Sequence, residues 1–519
     1  MDGRRNVRAS DSESTRLHFL PRVVDVGSDE LLRAAFDTNQ VDMPLGAVVE
    51  IEPARVGRPF FIDPTGLPHD ALNAFFAGGR MRNRSQETNR KYAFALLGWL
   101  KHLDQAHRRW DDATEDDLLD YKFWRLTDEK NPRTITAATW KGDLAALRAF
   151  YAWMESRHLN SSTLSLVIAD PEQGATPYYD FGSSSGRSKD VKWLSSGAMH
   201  RWINVGIHGY TEDGREKARW RPRLQTRDAA FVEGLYGTGL RLAEWSSILL
   251  TELPLASKHD HPPATNTSLP EADYRTALLS DSCAKGNRGH PYWIHHIVLD
   301  SIAEYCDTER AQAIRKANRD GSYERRMDIL LVLDLTEHGT AVVTKLDGSN
   351  PRKIKLANLT PAQRLRLMRK TEQGLEPLAL WLNEDGMPRP KRAWHRTFIR
   401  ANDRVAKAGI ARLKCTAHVC RHSFALRWYS VGRIIWDAKH KGLDHSFVED
   451  FREQFGDTWK LVQTMMGHSH VETTRDVYGE PFRYLDVQLL LEHGRAALDP
   501  NLLHHILEAN PRVRVDEGW

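Results

Sequence analysis

Four side chains that suit phosphate chemistry lie at or near the heads of short apolar segments between residues 241 and 421. Arg241 follows the glycines of GTGL, Lys285 lies in AKGNRG, and His418 and Arg421 form an H-x-x-R pair. Guanidinium groups bind phosphate oxygens bidentately, and lysine and histidine transfer protons. Each residue alone is ordinary, but together the four side chains would suit chemistry at a phosphate group.

Two further residues complete this set. His468 follows MMG, and Tyr478 closes VETTRDVY. A phenol with a pKa near 10 is a poor nucleophile at neutral pH, so Tyr478 would need a base such as His418, or the arginine field, to become reactive. We expect Lys285, desolvated and near arginines, to have a lowered pKa that suits protonation of a leaving oxygen. His468 would add a hydrogen-bond donor.

Two other motifs indicate different chemistry and are weaker. The cluster CTAHVCRH at 415–422 offers two cysteines and two histidines, but four ligands within one helix start cannot easily close a zinc tetrahedron. The segment LYGTGLR at 235–241 lacks both the third glycine of a dinucleotide fingerprint and the GK[ST] of a P-loop. We therefore expect no metal and no nucleotide cofactor.

Charge is balanced over the whole chain but not along it. The 73 Lys and Arg residues face 69 Asp and Glu residues, a net charge of +4. Residues 345–414 hold 17 basic and 6 acidic side chains, including RKIK at 352–355, RLRLMRK at 364–370 and RPKR at 389–392. Such a block either contacts phosphates or forms a solvated face of long side chains.

Composition and periodicity outline the domains. A chain of 519 residues, 41% of them hydrophobic, is long enough for two or three globular domains. Apolar residues at helical spacing fill two segments around 92–103 and 144–154, and TEDD from Thr114 is typical of a capping box rather than a metal site. The apolar patches FLPRVVDV, MPLGAVVEI and PFFI before residue 70 indicate a few strands or an irregular arm.

The second half mixes strands with helices. We predict a hairpin of TALLS at 276–280 and YWIHHIVL at 292–299 around AKGNRGHP, and further strands at 328–335 and 340–344. Helical patterns follow in WHRTFIRANDRVAKAG, RHSFALRWYSVGRII, TWKLVQTMMGH and FRYLDVQLLLEHGRAAL, with Gly409, Gly467 and Gly494 as stop signals.

The blocks GTGLRLAEW, AKGNRG, HVCRHSFA and MGHSHVETTRDVY, in this order after a helical region and a linker, resemble the tyrosine recombinase (phage integrase) family. The resemblance implies the catalytic residues Arg241, Lys285, His418, Arg421, His468 and Tyr478, with Tyr478 as the nucleophile. It also implies a mainly α fold with small β elements (α+β), in which a helical core-binding domain and a catalytic domain form a C-shaped DNA clamp.

We predict five regions: an N-terminal arm at 1–70, a core-binding domain at 72–168, a linker at 169–191, a catalytic domain at 192–495 and a tail at 496–519. Within the catalytic domain, 432–451 is interpreted as an insertion because the spacing from Arg421 to His468 is longer than the family resemblance implies. The stretch at about 300–370, with its strands and the basic runs RKIK and RLRLMRK, is interpreted as a second insertion after the hairpin.

This resemblance implies a site-specific recombinase that acts on double-stranded DNA attachment or recombination sites, as a homotetramer on two sites, and it leaves room for accessory DNA-bending or directionality factors. A topoisomerase of type IB, a resolvase and a non-catalytic DNA-binding relative remain alternatives. Four scattered cysteines, no apolar stretch long enough to span a bilayer and no signal-like start favour a cytoplasmic protein without membrane partners.

Overall fold

The computed structural model describes residues 15–19, 23–25, 48–50, 57–63, 65–157, 193–211, 214–215, 223–255, 274–336, 338–440 and 458–467; of 23–25, 48–50 and 433–440 it describes the backbone only. The chain forms two compact units, Met1–Arg187 and Ser188–Trp519, each with its own hydrophobic core. The described residues are mainly helical with four small sheets, the α+β class that the sequence predicted.

Five helices make up most of the described part of the first unit. They are α1 (Asp70–Ala77), α2 (Gly79–Arg82), α3 (Gln86–Gln105), α4 (Glu115–Leu126) and α5 (Ala137–Glu155). The long helices α3 and α5 pack along each other, and the indole of Trp99 donates a hydrogen bond to the hydroxyl of Tyr151 (2.9 Å) between them. The two segments predicted to be helical from their apolar spacing lie within α3 and α5.

Helix α4 begins with the predicted capping box. The hydroxyl of Thr114 accepts the backbone N–H of Asp117 (3.3 Å), and the carboxylate of Asp117 accepts the backbone N–H of Thr114 (2.8 Å). These reciprocal bonds satisfy two donors that a helix N-terminus leaves open. The acidic cluster here therefore serves the helix, as expected.

Among the described residues, four short strands precede the helices. Strands β1 (Arg16–Phe19) and β4 (Pro59–Ile62) form one antiparallel pair, and β2 (Val23–Asp25) and β3 (Val48–Glu50) form another. All four residues of β4 are buried, and Phe61 stacks on Phe76 of α1. The sequence left open whether this region forms a few strands or an irregular arm, and the residues described here form strands.

Helix α7 (Gln225–Thr238) runs through the core of the second unit. It packs against α9 (His296–Tyr305) and α13 (Ala417–His440), while α6 (Ser196–Ile203) and α12 (Lys391–Lys407) flank it. Helix α7 is buried along most of its length. The hydrophobic core to which it belongs is rich in aromatic side chains, among them Trp202, Trp245, Trp381 and Trp394. The short helix α8 (Leu242–Trp245) follows α7 directly, and α14 (Thr458–Met466) packs on α13.

The predicted hairpin is present but shorter than expected. Strands β5 (Tyr274–Leu278) and β6 (Pro291–His295) pair antiparallel. The prediction of a strand through residue 299 is wrong from His296 onward, because the ring nitrogen Nδ1 of His295 accepts the backbone N–H of Ile297 (3.2 Å) and caps the start of α9. The helical spacing of Val298, Leu299 and Ile302 then buries that helix.

A five-stranded sheet lies between α9 and α12 along the chain. After α10 (Ala311–Arg319) come β7 (Leu330–Leu335), β8 (Thr340–Thr344), β9 (Arg352–Lys355), α11 (Pro361–Arg364), β10 (Leu367–Thr371) and β11 (Gly374–Pro377). The strand order is β11-β10-β7-β8-β9, with only the β10–β7 pair parallel. We call residues 306–379 the sheet region. The sheet continues past residue 370, where the sequence placed the end of an insertion.

The two ends of the sheet region meet. The hydroxyl of Tyr305, just before the region, accepts the backbone N–H of Leu382 (2.9 Å), and the guanidinium of Arg310 donates to the carbonyl groups of Pro377 (2.5 Å), Ala379 (3.3 Å) and Leu380 (3.2 Å). Arg310 is buried and also pairs with Glu376 (2.6 Å). The sheet region is thus closed at its base by one arginine.

Several predictions fall on residues that the structure does not describe. These are the linker at 169–191, residues 441–451 of the predicted second insertion, His468, Tyr478, and the helix and tail that follow. Residues 432–440 of that insertion continue α13. No helix among the described residues has the length and apolar character needed to cross a bilayer.

Candidate functional site

Arg241 is positioned by a left-handed turn at the end of α7. Gly239 has a φ of +67°, and a Cβ at this position would lie 2.3 Å from the ring of Phe424. Only glycine adopts this conformation without strain and leaves room for that ring. The turn places Arg241 directly before α8, where its backbone N–H donates to the carboxylate of Glu244 (2.7 Å) and its guanidinium contacts the same carboxylate (2.7 Å).

Arg421 reaches the same carboxylate from α13. Its side chain is buried, and its terminal nitrogens donate to the carbonyl groups of Gly239 and of Met466, the latter at 2.8 Å. One of these nitrogens lies 4.0 Å from an oxygen of Glu244. The structure therefore brings the two predicted arginines together around one acid, although 180 positions separate them in the sequence.

Glu244 is a site residue that the sequence reasoning missed. Its side chain is 1% exposed, and it also accepts the backbone N–H of Lys285 (3.3 Å). Burial would raise the pKa of this carboxyl, but Arg241 and Arg421 outweigh that effect and hold the pKa below its usual value. The sequence did contain a signal for Glu244. A glutamate three residues after a helix N-cap can accept a hydrogen bond from the backbone N–H of that cap, here Arg241.

Lys285 lies at the tip of the β5–β6 hairpin. The turn passes through Gly286 and Asn287, both with positive φ, and the carboxylate of Asp281 accepts the backbone N–H of Gly289 (2.6 Å) across it. The backbone of Lys285 is tied to Glu244, whereas the residue itself is exposed. The desolvation expected from the sequence is therefore not present in this structure.

His418 lies in the first turn of α13, one helical turn before Arg421, and is exposed. Its ring meets the ring of His422 edge to face, with the centroids 4.1 Å apart. His422 is buried. The H-x-x-R spacing thus places His418 at the surface end of the helix and Arg421 in the interior beside Glu244.

The neighbouring cysteines belong to the core. Cys415 and Cys420 are both fully buried, and their sulfur atoms lie 3.5 Å apart. Burial, with Cys420 close by, raises the pKa of the Cys415 thiol well above its usual value, whereas a zinc ligand must be a thiolate. The arrangement therefore favours two packed thiols.

A side chain of the sheet region contacts the hairpin that carries Lys285. The buried guanidinium of Arg364 pairs with Glu252 (2.6 Å) and donates to the hydroxyl of Ser280 (2.6 Å) at the end of β5. The hydroxyl of Ser280 in turn donates to Glu252 (3.0 Å). Arg364 belongs to RLRLMRK, but its side chain is 1% exposed, so this arginine of the basic block is not available for phosphate.

Of the basic runs, RKIK behaves differently. It forms β9, the edge strand of the five-stranded sheet, with Arg352, Lys353 and Lys355 exposed. Lysine and arginine on an edge strand hinder pairing with other chains and remain available for anions. The third run, at 389–392, leads into α12.

His468 and Tyr478 lie outside the described residues, so the structure does not place two of the six predicted catalytic side chains. The last described segment ends at Gly467, directly after Met466, whose carbonyl group accepts from Arg421. The structure thus brings Arg241 and Arg421 together with the backbone of Lys285, and puts His418 on the helix of Arg421.

Comparison with known proteins gives one family match. Residues 79–158, 80 of the 519 residues, match the family model described as phage integrase, N-terminal SAM-like domain. This match covers α2 to α5 of the first unit and supports the resemblance to tyrosine recombinases. No curated protein matches the chain.

Solved structures of site-specific recombinases align with the chain at low similarity. XerH bound to palindromic difH substrate in a post-cleavage complex is 14% identical, with 82% of this chain and 88% of that chain covered and a TM-score of 0.40. XerH bound to difH in a pre-cleavage complex is 14% identical, with 82% and 84% covered and a TM-score of 0.39. XerA is 14% identical, with 82% and 100% covered and a TM-score of 0.27. TM-scores this low carry no weight for function.

Proposed function

We propose that this chain, with its phage integrase SAM-like domain at residues 79–158, is a site-specific recombinase that breaks and rejoins DNA through a covalent phosphotyrosine. The observation that supports this most is the convergence of Arg241, Arg421 and the backbone of Lys285 on the buried carboxylate of Glu244. Two guanidinium groups around one acid leave a net positive charge, which suits a phosphodiester.

In the proposed reaction, Arg241 and Arg421 bind the nonbridging oxygens of the scissile phosphate. Negative charge grows on these oxygens as the phosphate is attacked, so fixed guanidinium groups stabilise the transition state more than the ground state. Glu244 holds Arg241 in place, and the carbonyl groups of Gly239 and Met466 hold Arg421. The binding groups are thereby oriented before DNA arrives.

The covalent step involves Tyr478. Its hydroxyl oxygen forms a bond to phosphorus, the bond from phosphorus to the 5′ oxygen breaks, and a 3′-phosphotyrosine and a free 5′ hydroxyl result. The phenolic proton passes to His418, His468 donates a hydrogen bond to the phosphate, and Lys285 protonates the 5′ oxygen. Attack by the 5′ hydroxyl of the partner strand reverses the step, so the bond energy is conserved.

The biological role follows from the resemblance. We propose double-stranded DNA attachment sites as substrates, four copies of the chain acting on two sites, and the integration or excision of a mobile element as the outcome. Accessory DNA-bending or directionality factors would select between the two directions.

The decisive experiment is to trap the covalent adduct. The full chain, incubated with duplexes that carry the candidate attachment site and a nick next to the scissile phosphate, should form a protein–DNA adduct that survives detergent. Tyr478→Phe should abolish the adduct and keep DNA binding, while Tyr484→Phe, a tyrosine close by in the sequence, should still form it. Adduct formation by Tyr478→Phe would reject the assignment of the nucleophile.

A second assay separates recombination from DNA relaxation. Two labelled duplexes of different length should give joint products with the wild-type chain. Relaxation of supercoiled DNA without joint products would instead favour a topoisomerase, and the absence of any adduct would favour a non-catalytic DNA-binding protein.

A further inference from the structure

A cavity lined by arginines opens at the end of α7 opposite to the candidate site. It has a volume of about 550 Å³, and five arginines and two acids, Asp228 and Glu384, contribute to its lining, a net charge of +3. The arginines are Arg223, Arg227, Arg389, Arg400 and Arg404. Because α7 spans 14 residues at about 1.5 Å each, about 20 Å separate the cavity from Gly239.

Three of the arginines are oriented by the backbone and not by acids alone. Arg389 donates to the carbonyl group of Ala393 (3.0 Å) and to the hydroxyl of Thr397 (2.9 Å), and its guanidinium lies over the ring of Trp394. Arg227 donates to the carbonyl group of Leu382 (2.7 Å). Arg404 donates to the carbonyl group of Gly206 (2.5 Å). Their positions are therefore set without a ligand.

The cations are held together against their mutual repulsion. Burial lowers the pKa of the Arg389 guanidinium to about 10, and the charge of Arg227 contributes to this lowering. Burial also lowers the pKa of Arg404, and the charge of Arg400 adds to this effect. The Nε atom of Arg389 is buried and makes no hydrogen bond. Like charges assembled at such a cost are typical of sites that bind an opposite charge.

The lining also indicates the kind of ligand. The ring of Trp394 is fully buried beneath the two guanidinium groups, so it offers no surface for a nucleobase. Planar guanidinium groups match phosphate oxygens in pairs. We propose that this cavity binds a phosphate-bearing polyanion, held by the half-buried Arg389 and Arg404 and by the exposed Arg400. This inference does not depend on the proposed recombinase activity.

The experiment uses inorganic pyrophosphate as the probe and isothermal titration of the full chain as the readout. Arg400→Glu should weaken binding by about tenfold or more, the equivalent of one charge-assisted hydrogen bond. Arg396→Glu is the matched control, because Arg396 lies one turn earlier on α12, is exposed, and does not line the cavity. Glu384→Gln should strengthen binding, since it removes an acid from the lining.

The source of the phosphate is determined in a second titration, in the presence of a saturating DNA duplex. Displacement of pyrophosphate by the duplex would identify the natural ligand as a DNA backbone phosphate, and simultaneous binding would identify a free polyphosphate; both results support the site. Equal weakening by Arg400→Glu and Arg396→Glu would overturn the proposal, and so would a wild-type chain that shows no saturable binding of pyrophosphate.

Discussion

Arg364 and Glu252 form an ion pair (2.6 Å) that joins the sheet region to the segment following Arg241. The same guanidinium donates to the hydroxyl of Ser280, at the end of the strand that leads to Lys285. One side chain of the sheet region therefore links two segments of the candidate site, and its loss should loosen both.

Arg364→Met should destabilise the chain by about 3–5 kcal/mol, because it leaves the largely buried carboxylate of Glu252 without its cation. Urea denaturation measures the change. Replacing Arg319, whose pair with Asp320 is exposed, should change stability by less than about 1 kcal/mol. A second variant, Arg364→Met with Glu252→Met, should recover part of the loss; no recovery would mean that the pair is not the origin of the effect.

Lys285→Ala should slow cleavage of ordinary DNA by about 100-fold or more, the usual contribution of a general acid. A substrate in which sulfur replaces the leaving 5′ oxygen should be cleaved almost as fast by the variant as by the wild-type chain, because a thiolate leaves without a proton. Single-turnover rates on both substrates provide the measurement. Equal slowing on both would assign Lys285 to DNA binding alone.

Glu244→Gln should lower stability by about 1–3 kcal/mol at neutral pH, because two guanidinium groups lose the charged partner between them. The folded pKa of Glu244 lies below the usual 4.5, so the stabilisation by this carboxylate is complete above that pH and is lost as the pH falls through the folded pKa. The stability difference between wild type and variant, measured in urea from pH 7 down to pH 3, should therefore shrink below about pH 4.5. A difference independent of pH would contradict this.

Gly239→Ala should destabilise the chain by about 2–4 kcal/mol, since alanine meets both the left-handed conformation and the ring of Phe424. Gly142→Ala is the matched control: Gly142 lies within α5, and a Cβ added there would have no neighbour within 4 Å, so alanine should stabilise the helix by about 0.5–1 kcal/mol. Thermal unfolding of both variants tests the pair. Similar behaviour of the two would remove the special role of the turn at Gly239.

The sequence predicted those elements whose signals are local. The apolar spacing of α3 and α5, the capping box at Thr114 and the turn between β5 and β6 each lie within one short stretch of chain. The end of β6 was misjudged because YWIHHIVL is apolar at both strand and helix spacing, and the side chain of His295 decides between them by capping α9.

Sequence patterns do not predict the burial of a charged side chain by residues far away in the sequence. Arg364 looked like part of a phosphate-binding run, and its role depends on Glu252, which lies 112 positions earlier. Glu244 was passed over because a glutamate in a short helix is ordinarily exposed. Glu244 is buried here with its charge balanced by Arg241 and by Arg421, which lies on a helix nearly 180 positions later in the sequence.

Because Tyr305 and Arg310 fasten the exit of the sheet region to its entrance, the 74 positions 306–379 form a module that a short loop could bridge. A module of this kind is a natural place for a protein engineer to graft or shorten a segment, and for a gene to gain or lose one in a single event. Its removal would also withdraw Arg364, so a trimmed chain would lose the cation that links Glu252 to Ser280.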